Sequence, residues 1–506
     1  MRLQIDNYPV KRLLTWLILP VLAVTITVTS CVVQKNPVSG KSRAYGYSWS
    51  EELKIGREAD QQIQQQYGVY DDEELVNYVE TLGQEILSVS HMRREDTDPK
   101  YRNTEFYFRV LNSPVVNAFA LPGGYIYVTR GLLSHLNNEA QLAVVLGHEI
   151  GHVAARHASQ RAFEQKVGQI ALVGGAIAGQ ELLGLPGQDL LNLGSTATQL
   201  MFLKYGRDDE RESDRLGVEY AAMRNYVAAE GADFFTSLKR ISENAGQNIP
   251  SFLSTHPEPG EREKTIPRLA KQWEQKGYSQ NRLNRDEYMN MIDGIIYGNN
   301  PREGFTRNDT FYHPDLKFSY PVPGGWRVIN EPSRVILANQ DGNAVMIMTI
   351  DSEASTARQS VQAFISQEGI TVTGQSGTQN NGLEAYEATA TAVTQDGTEL
   401  GIFTYAVEFG GNIYRFIAYT TAAQFSAQKS NFTATAYGFD ELEDPEILNI
   451  QPVRLEIINT DRSGVFRSFL PETLPMNITE EELAIVNQVQ LDDEIEAGRY
   501  LKIPRQ

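Results

Sequence analysis

The chain has 506 residues, long for one hydrophobic core, so two or three domains are expected. Hydrophobic residues at 41% and charged residues at 22% argue against both a disordered chain and a multi-span membrane protein. A net charge of −19 argues against a nucleic-acid partner, and one cysteine excludes an intrachain disulfide framework.

Residues 1–30 have the layout of a secretory signal. Arg2, Lys11 and Arg12 precede an uncharged, almost wholly apolar run over 13–30. Val28-Thr29-Ser30-Cys31 resembles the lipobox of bacterial lipoproteins, which places a lipid on Cys31; the alternative is an uncleaved transmembrane anchor. Either reading puts the rest of the chain outside the cytoplasm, and Val32 after the cysteine does not favour inner-membrane retention.

Residues 31–48, polar with Gly and Pro, read as a tether. Helical periodicity covers 49–90. A β-rich stretch follows, in which Phe106, Phe108 and Val110 alternate and Pro122-Gly123-Gly124 marks a turn. A long helix is expected from a cap at Asn137-Asn138-Glu139 through AQLAVVLGHEIGHVAARHASQRAFEQ. Residues 168–185, Gly/Ala-rich and apolar, read as a buried helix or a membrane-dipping segment. Further helices are expected at about 207–225, 228–245 and 285–297, with polar, Pro-rich residues near 250–265 ending the first helical unit.

From about 310 the texture becomes β-like. Short strand-type runs alternate with turns at Gln340-Asp341-Gly342-Asn343, Asp396-Gly397 and Gly410-Gly411-Asn412, interrupted by one helical stretch. This predicts an α+β domain over 311–440 with a mostly antiparallel sheet. It contains no His, Cys or paired-carboxylate cluster that would mark a second active site, so a binding role is the default. Glu441 to Pro452 reads as a linker, and 452–506 as a small βααβ module.

His148-Glu149-Ile150-Gly151-His152 is an H-E-x-x-H motif in a helical segment. Residues four apart share a helix face, so both imidazoles can approach one metal ion, with zinc the best match. Glu149, beside the first ligand, is placed to take a proton from an attacking water. A third ligand is needed. Glu210 and Asp214, also four apart, offer one carboxylate for the metal and one to orient a ligand imidazole. His157, five residues beyond His152 on a continuous helix, is expected to point elsewhere and to be structural.

HEIGHVAARH, then ERESDRLG, then STHPEPGER, make residues 35–275 similar to the zinc peptidase family of HtpX, the CAAX prenyl proteases and the BepA-type periplasmic enzymes. The resemblance implies one zinc per chain held by His148, His152 and Glu210, with Glu149 as general base and Asp214 behind a ligand. It also implies that His256 and Arg262 stabilise the transition state or cover the zinc. Asn117, Ala118, Phe119 and Ala120 match the family's cleft-edge strand, which pairs with a peptide through its main chain. The chain departs from these relatives in lacking both a set of long transmembrane runs and a tetratricopeptide pattern. Residues 452–506 resemble a divergent LysM module, notably in Asn487 and the closing Leu-Lys-Ile-Pro, which implies peptidoglycan binding or a structural cap.

The expected architecture is multi-domain: a mainly α, zincin-type peptidase domain with a small edge β-sheet (49–300), then the α+β domain, then the βααβ module. The expected function is a lipid-anchored envelope endopeptidase that removes misfolded or stalled exported proteins, at the periplasmic face of the outer membrane if the host has two membranes. The rival expectations are a chaperone-like binding protein with a shielded zinc site and a cell-wall-bound scaffold.

Overall fold

The computed structural model describes residues 32–173, 205–244, 252, 255–256, 259–394, 397–475 and 478–506. The signal-like run with Cys31, and most of the Gly/Ala-rich segment 168–185, lie outside them. Among the described residues no helix is long and apolar enough to cross a membrane.

The segment expected to be a tether is folded. β1 (Val32–Lys35) and β2 (Ser42–Tyr45) form an antiparallel hairpin. Asn36 shapes its turn: its Oδ1 accepts from the backbone N–H groups of Val38 and Ser39. Two helices follow, α1 (Trp49–Tyr67), opened by a Ser48/Glu51 capping box, and α2 (Glu73–Ser88), capped by Asp72.

A three-stranded sheet is ordered β3-β5-β4, from Tyr107–Leu111, Tyr125–Thr129 and Ala118–Leu121. β3 runs parallel and β4 antiparallel to β5, which leaves β4 at the edge. Period-two alternation puts Phe119 and Leu121 in the apolar cluster with Ala59 and Ile63 of α1. Ala118 and Ala120 join the main core instead.

After α3 (Arg130–His135), the helix α4 (Glu139–Ala155) is buried along its whole length, as its lack of a polar face requires. Asn138 caps it by accepting from the N–H of Gln141. The expected continuous helix breaks at Arg156, which is left-handed with φ of 61°, and α5 (His157–Val173) starts anew. The helices α6 (Arg207–Met223), α7 (Gly231–Asn244), α8 (Pro259–Gln275) and α9 (Arg285–Met291) complete the unit. The Pro-rich stretch near 250–265 thus does not end the helical region; it opens α8.

The middle domain begins at Phe305, slightly earlier than expected, and is the α+β unit foreseen. Its antiparallel seven-stranded sheet is ordered β12-β13-β14-β15-β11-β10-β9, from Ile370–Asn380, Leu383–Val393, Glu399–Phe409, Asn412–Thr421, Ala344–Ile350, Arg334–Ala338 and Arg327–Glu331. Gly410 and Gly411, both at positive φ, make the two-residue turn joining β14 to β15. α10 (Ala357–Ile365) covers one face. α11 (Ala422–Tyr437), with strands β6 (Phe305–Arg307), β7 (Thr310–His313), β8 (Phe318–Pro321) and β16 (Asp440–Glu441), covers the other.

The expected linker is partly structured: Asp440 and Glu441 pair with β8, and Pro445–Leu448 is one helical turn. In the last module, β17 (Arg454–Asn459) pairs with β20 (Tyr500–Arg505), and β18 (Gly464–Val465) with β19 (Glu494–Ile495). One helix, α12 (Glu480–Val486), is formed; the other expected helix is only a 3-10 turn at Phe466–Phe469. The module folds back onto the first domain. Leu455 and Val486 belong to the first domain's core, and Tyr297 N–H donates to the Val453 carbonyl at 2.8 Å. The middle domain has its own cores, so it is an insert looped out between two parts of one body.

Candidate metal centre

The site is built where α4 crosses α6. Gly147 and Gly151 lie one turn apart on α4; Gly217 of α6 faces the first, and Leu216 and Ser213 face the second. A Cβ on Gly147 would sit 3.0 Å from Gly217 Cα, and one on Gly217 would sit 2.9 Å from His148 N. These glycines let the two backbones touch, and that contact carries Glu210 and Asp214 to the histidines of α4.

The donor atoms of His148, His152, Glu210 and His256 all lie within 4.8 Å of one another, and all four residues are buried. His148 Nε2 and His152 Nε2 are 3.0 Å apart, and Glu210 Oε1 is 3.5 Å from His152 Nε2. Two imidazoles and a carboxylate are an ordinary donor set for a divalent transition metal. Glu149 points into the same space. Both its carboxylate oxygens are buried without a hydrogen-bond partner among the described residues, and burial raises its pKa. An orphaned buried carboxylate beside converging donors fits a bound cation and its solvent better than it fits a packed core.

The remaining residues expected here are gathered as well. Asp214 Oδ1 lies 2.9 Å from His148 Nδ1, on the side of the ring away from the other donors. Arg262 Nε donates to Asp214 Oδ2 at 2.8 Å, and its Nη2 donates to Glu210. Arg262 is therefore paired with both carboxylates. Burial works to raise the pKa of Glu210, but His256 and Arg262 outweigh it and hold it at about 2. His256 closes the site: Nδ1 is 3.2 Å from Glu210 Oε1, Nε2 is 3.7 Å from Glu149 Oε1, and the ring stacks on Phe252. Ala118, Phe119 and Ala120 form the edge strand β4, while Asn117 precedes it and exchanges bonds with Thr129.

Two residues of the site were not anticipated. The ring of Tyr205 lies 4.0 Å from that of His152, centroid to centroid, at 32°. His157, expected to point away, lies with Nδ1 3.0 Å from His152 Nδ1. The expectation failed because it assumed one unbroken helix; the left-handed Arg156 turns the chain and swings His157 back. Only a Gly or Asn at the break would have flagged it, and Arg156 is neither.

Residues 79–270 match the profile of Peptidase family M48. A putative beta-barrel assembly-enhancing protease of Vibrio cholerae is 31% identical over 198 residues, which cover 38% of this chain and 39% of that one. The mitochondrial metalloendopeptidase OMA1 of Arabidopsis thaliana is 33% identical over 157 residues, covering 31% and 30%. That of Bos taurus is 32% identical over 181 residues, covering 34% of each. The match spans less than half the length of each of these relatives.

Proposed function

From the match of residues 79–270 to Peptidase family M48, we propose that this chain is a zinc-dependent endopeptidase of the cell envelope. The observation that carries the reading is Glu149: an unpartnered carboxylate facing the donors of His148, His152 and Glu210. Zinc held by those three residues supplies a Lewis acid that acidifies water and polarises the scissile carbonyl. Glu149, with its pKa raised by burial, takes the proton from the attacking water and returns it to the leaving amine. Asp214, with Oδ1 2.9 Å from His148 Nδ1, is placed to orient that ring. β4 offers an edge to which an extended substrate adds as a strand.

Export, a lipid on Cys31, residence at the periplasmic face of the outer membrane, and misfolded or stalled exported proteins as substrates complete the proposal. The names of the relatives and the N-terminal sequence pattern support it. Glycan binding by 452–506 is the weakest part, because Asn487 and Lys502 are both buried against the peptidase domain. Any glycan contact therefore uses the module's outer face, and a pull-down on peptidoglycan with and without 452–506 tests it.

A second reading, a binding protein with a shielded site, is favoured by the complete burial of Glu149 and His256. Glu149→Gln separates the two. The expected result is full zinc content with cleavage of an unfolded protein such as casein reduced at least about a hundredfold. Equal zinc with no cleavage by either protein favours the shielded reading, and absence of zinc from both sinks the metal centre.

A further inference from the structure

His157 is fully buried, ionisable and without a part in the proteolytic step. Its surroundings give it a direction. His152 turns Nε2 toward His148 and Glu210, at 3.0 and 3.5 Å, so that nitrogen presents its lone pair to the converging donors. The neutral ring then carries its hydrogen on Nδ1, which faces His157 Nδ1 at 3.0 Å. His157 must accept there, which puts its own hydrogen on Nε2, and that atom lies 3.3 Å from Glu212 Oε2. Every donor meets an acceptor, from the carboxylate of Glu212 through two rings to the donor set.

We propose that His157 is a positioning residue for the metal centre: with Glu212 it forms a carboxylate–imidazole–imidazole relay that fixes the tautomer and ring angle of His152. The relay parallels the simpler arrangement at the other ligand, where Asp214 Oδ1 lies 2.9 Å from His148 Nδ1. Metal-ligating histidines regularly donate their second N–H to a carboxylate, a carbonyl or water, which raises ligand basicity. Glu212, on α6, pairs with His157 Nε2 at 3.3 Å, so His157 links it to His152. The break at Arg156 is what makes this possible, since it places residue 157 behind residue 152 rather than beyond it. Glu212 is held in turn by Arg43 of the β1–β2 hairpin, 3.8 Å away, and the pKa of Glu212 is lowered chiefly by His157.

The inference rests on His152 being a ligand, and the test separates the two claims. Zinc affinity is measured on the full chain from residue 32 by competition with a chromogenic chelator, with zinc alone as the probe. His157→Leu, which keeps the apolar volume and removes the acceptor, is expected to bind zinc about 10- to 100-fold more weakly. His157→Asn, whose Oδ1 can accept where Nδ1 did, is expected to recover most of that loss. A merely structural role predicts the opposite: the metal-free melting temperature falls in both variants and zinc affinity in neither. Should His157→Leu fail to fold, Glu212→Ala, at the partly exposed end of the relay, is expected to weaken zinc severalfold with the metal-free melting temperature unchanged. Unaltered affinity in these variants overturns the relay alone. A wild type that binds no zinc overturns the metal centre with it.

Discussion

At the scale of single residues, buried ionisable groups set how the fold responds to acid. His135 is almost fully enclosed, with Nδ1 2.7 Å from the Gly131 carbonyl, and desolvation lowers its pKa from 6.5 to about 4. His91, buried against Tyr220, is lowered likewise to about 4, by burial and then by Arg94. The fold holds both neutral, while the unfolded chain takes up protons below pH 6.5. Their contribution is therefore intact above pH 6.5 and is lost as the pH falls toward 4. For His135 the loss reaches roughly 3 kcal/mol. Urea midpoints followed across that window should drop for the wild type and drop less for His135→Asn, which retains a donor for Gly131. The candidate donors His148 and His152 were legible at this scale because two histidines four apart on a helix have a chemical meaning of their own. His157 and Tyr205 were not, since their roles arise from a chain reversal and from a ring stacked across the site.

The element that decides the site is the crossing of α4 and α6. Each helix was visible in the sequence from its helical pattern, and α4 also from its cap. Their contact was not, because nothing local distinguishes Gly147 and Gly217 from glycines that merely weaken a helix. Gly217→Ala would push a methyl to within 2.8 Å of the Val144 carbonyl oxygen and 2.9 Å of His148 N. The helices must part, at a cost of roughly 1–3 kcal/mol. Glu210 and Asp214 withdraw with α6, so this variant should lose metal-free melting temperature and zinc affinity together, unlike His157→Leu. The break after α4 was hidden for a related reason. Arg156 is held there by Glu52 through Nε at 2.9 Å, by Gln34, by the carbonyl of Tyr47 and by the ring of Tyr45 at 3.7 Å. These partners lie over a hundred residues away in sequence, so no helical window contains them.

Seen whole, the molecule grips α4 at both ends. At its C-terminal end, Asn36 Nδ2 of the hairpin donates to the Ala155 carbonyl at 2.8 Å. At its N-terminal end, Gln141 bonds Gln488, and Asn137 donates to the Asn487 carbonyl. Beside them the buried ammonium of Lys502 donates to the carbonyls of Ser134, Leu136 and Val486 at 2.7, 2.6 and 3.0 Å. A lysine on a closing strand is ordinarily exposed, so nothing local in the sequence marks this one as a tie to the first domain. Lys502→Ala should cost roughly 3 kcal/mol by leaving buried carbonyls unpaired, measured as a fall in the urea midpoint. A fragment limited to residues 79–270 loses both grips, and should be unfolded or zinc-free where the chain from residue 32 is neither. The spacing of these grips also sets an order of events in time. Asn137 leaves the ribosome 350 residues ahead of Asn487. The inserted domain ends at Glu441, so it emerges whole before Asn487 does and can fold on its own cores first. A metal centre that needs both grips is thus among the last parts of the protein to be finished, after the inserted domain has already been put away.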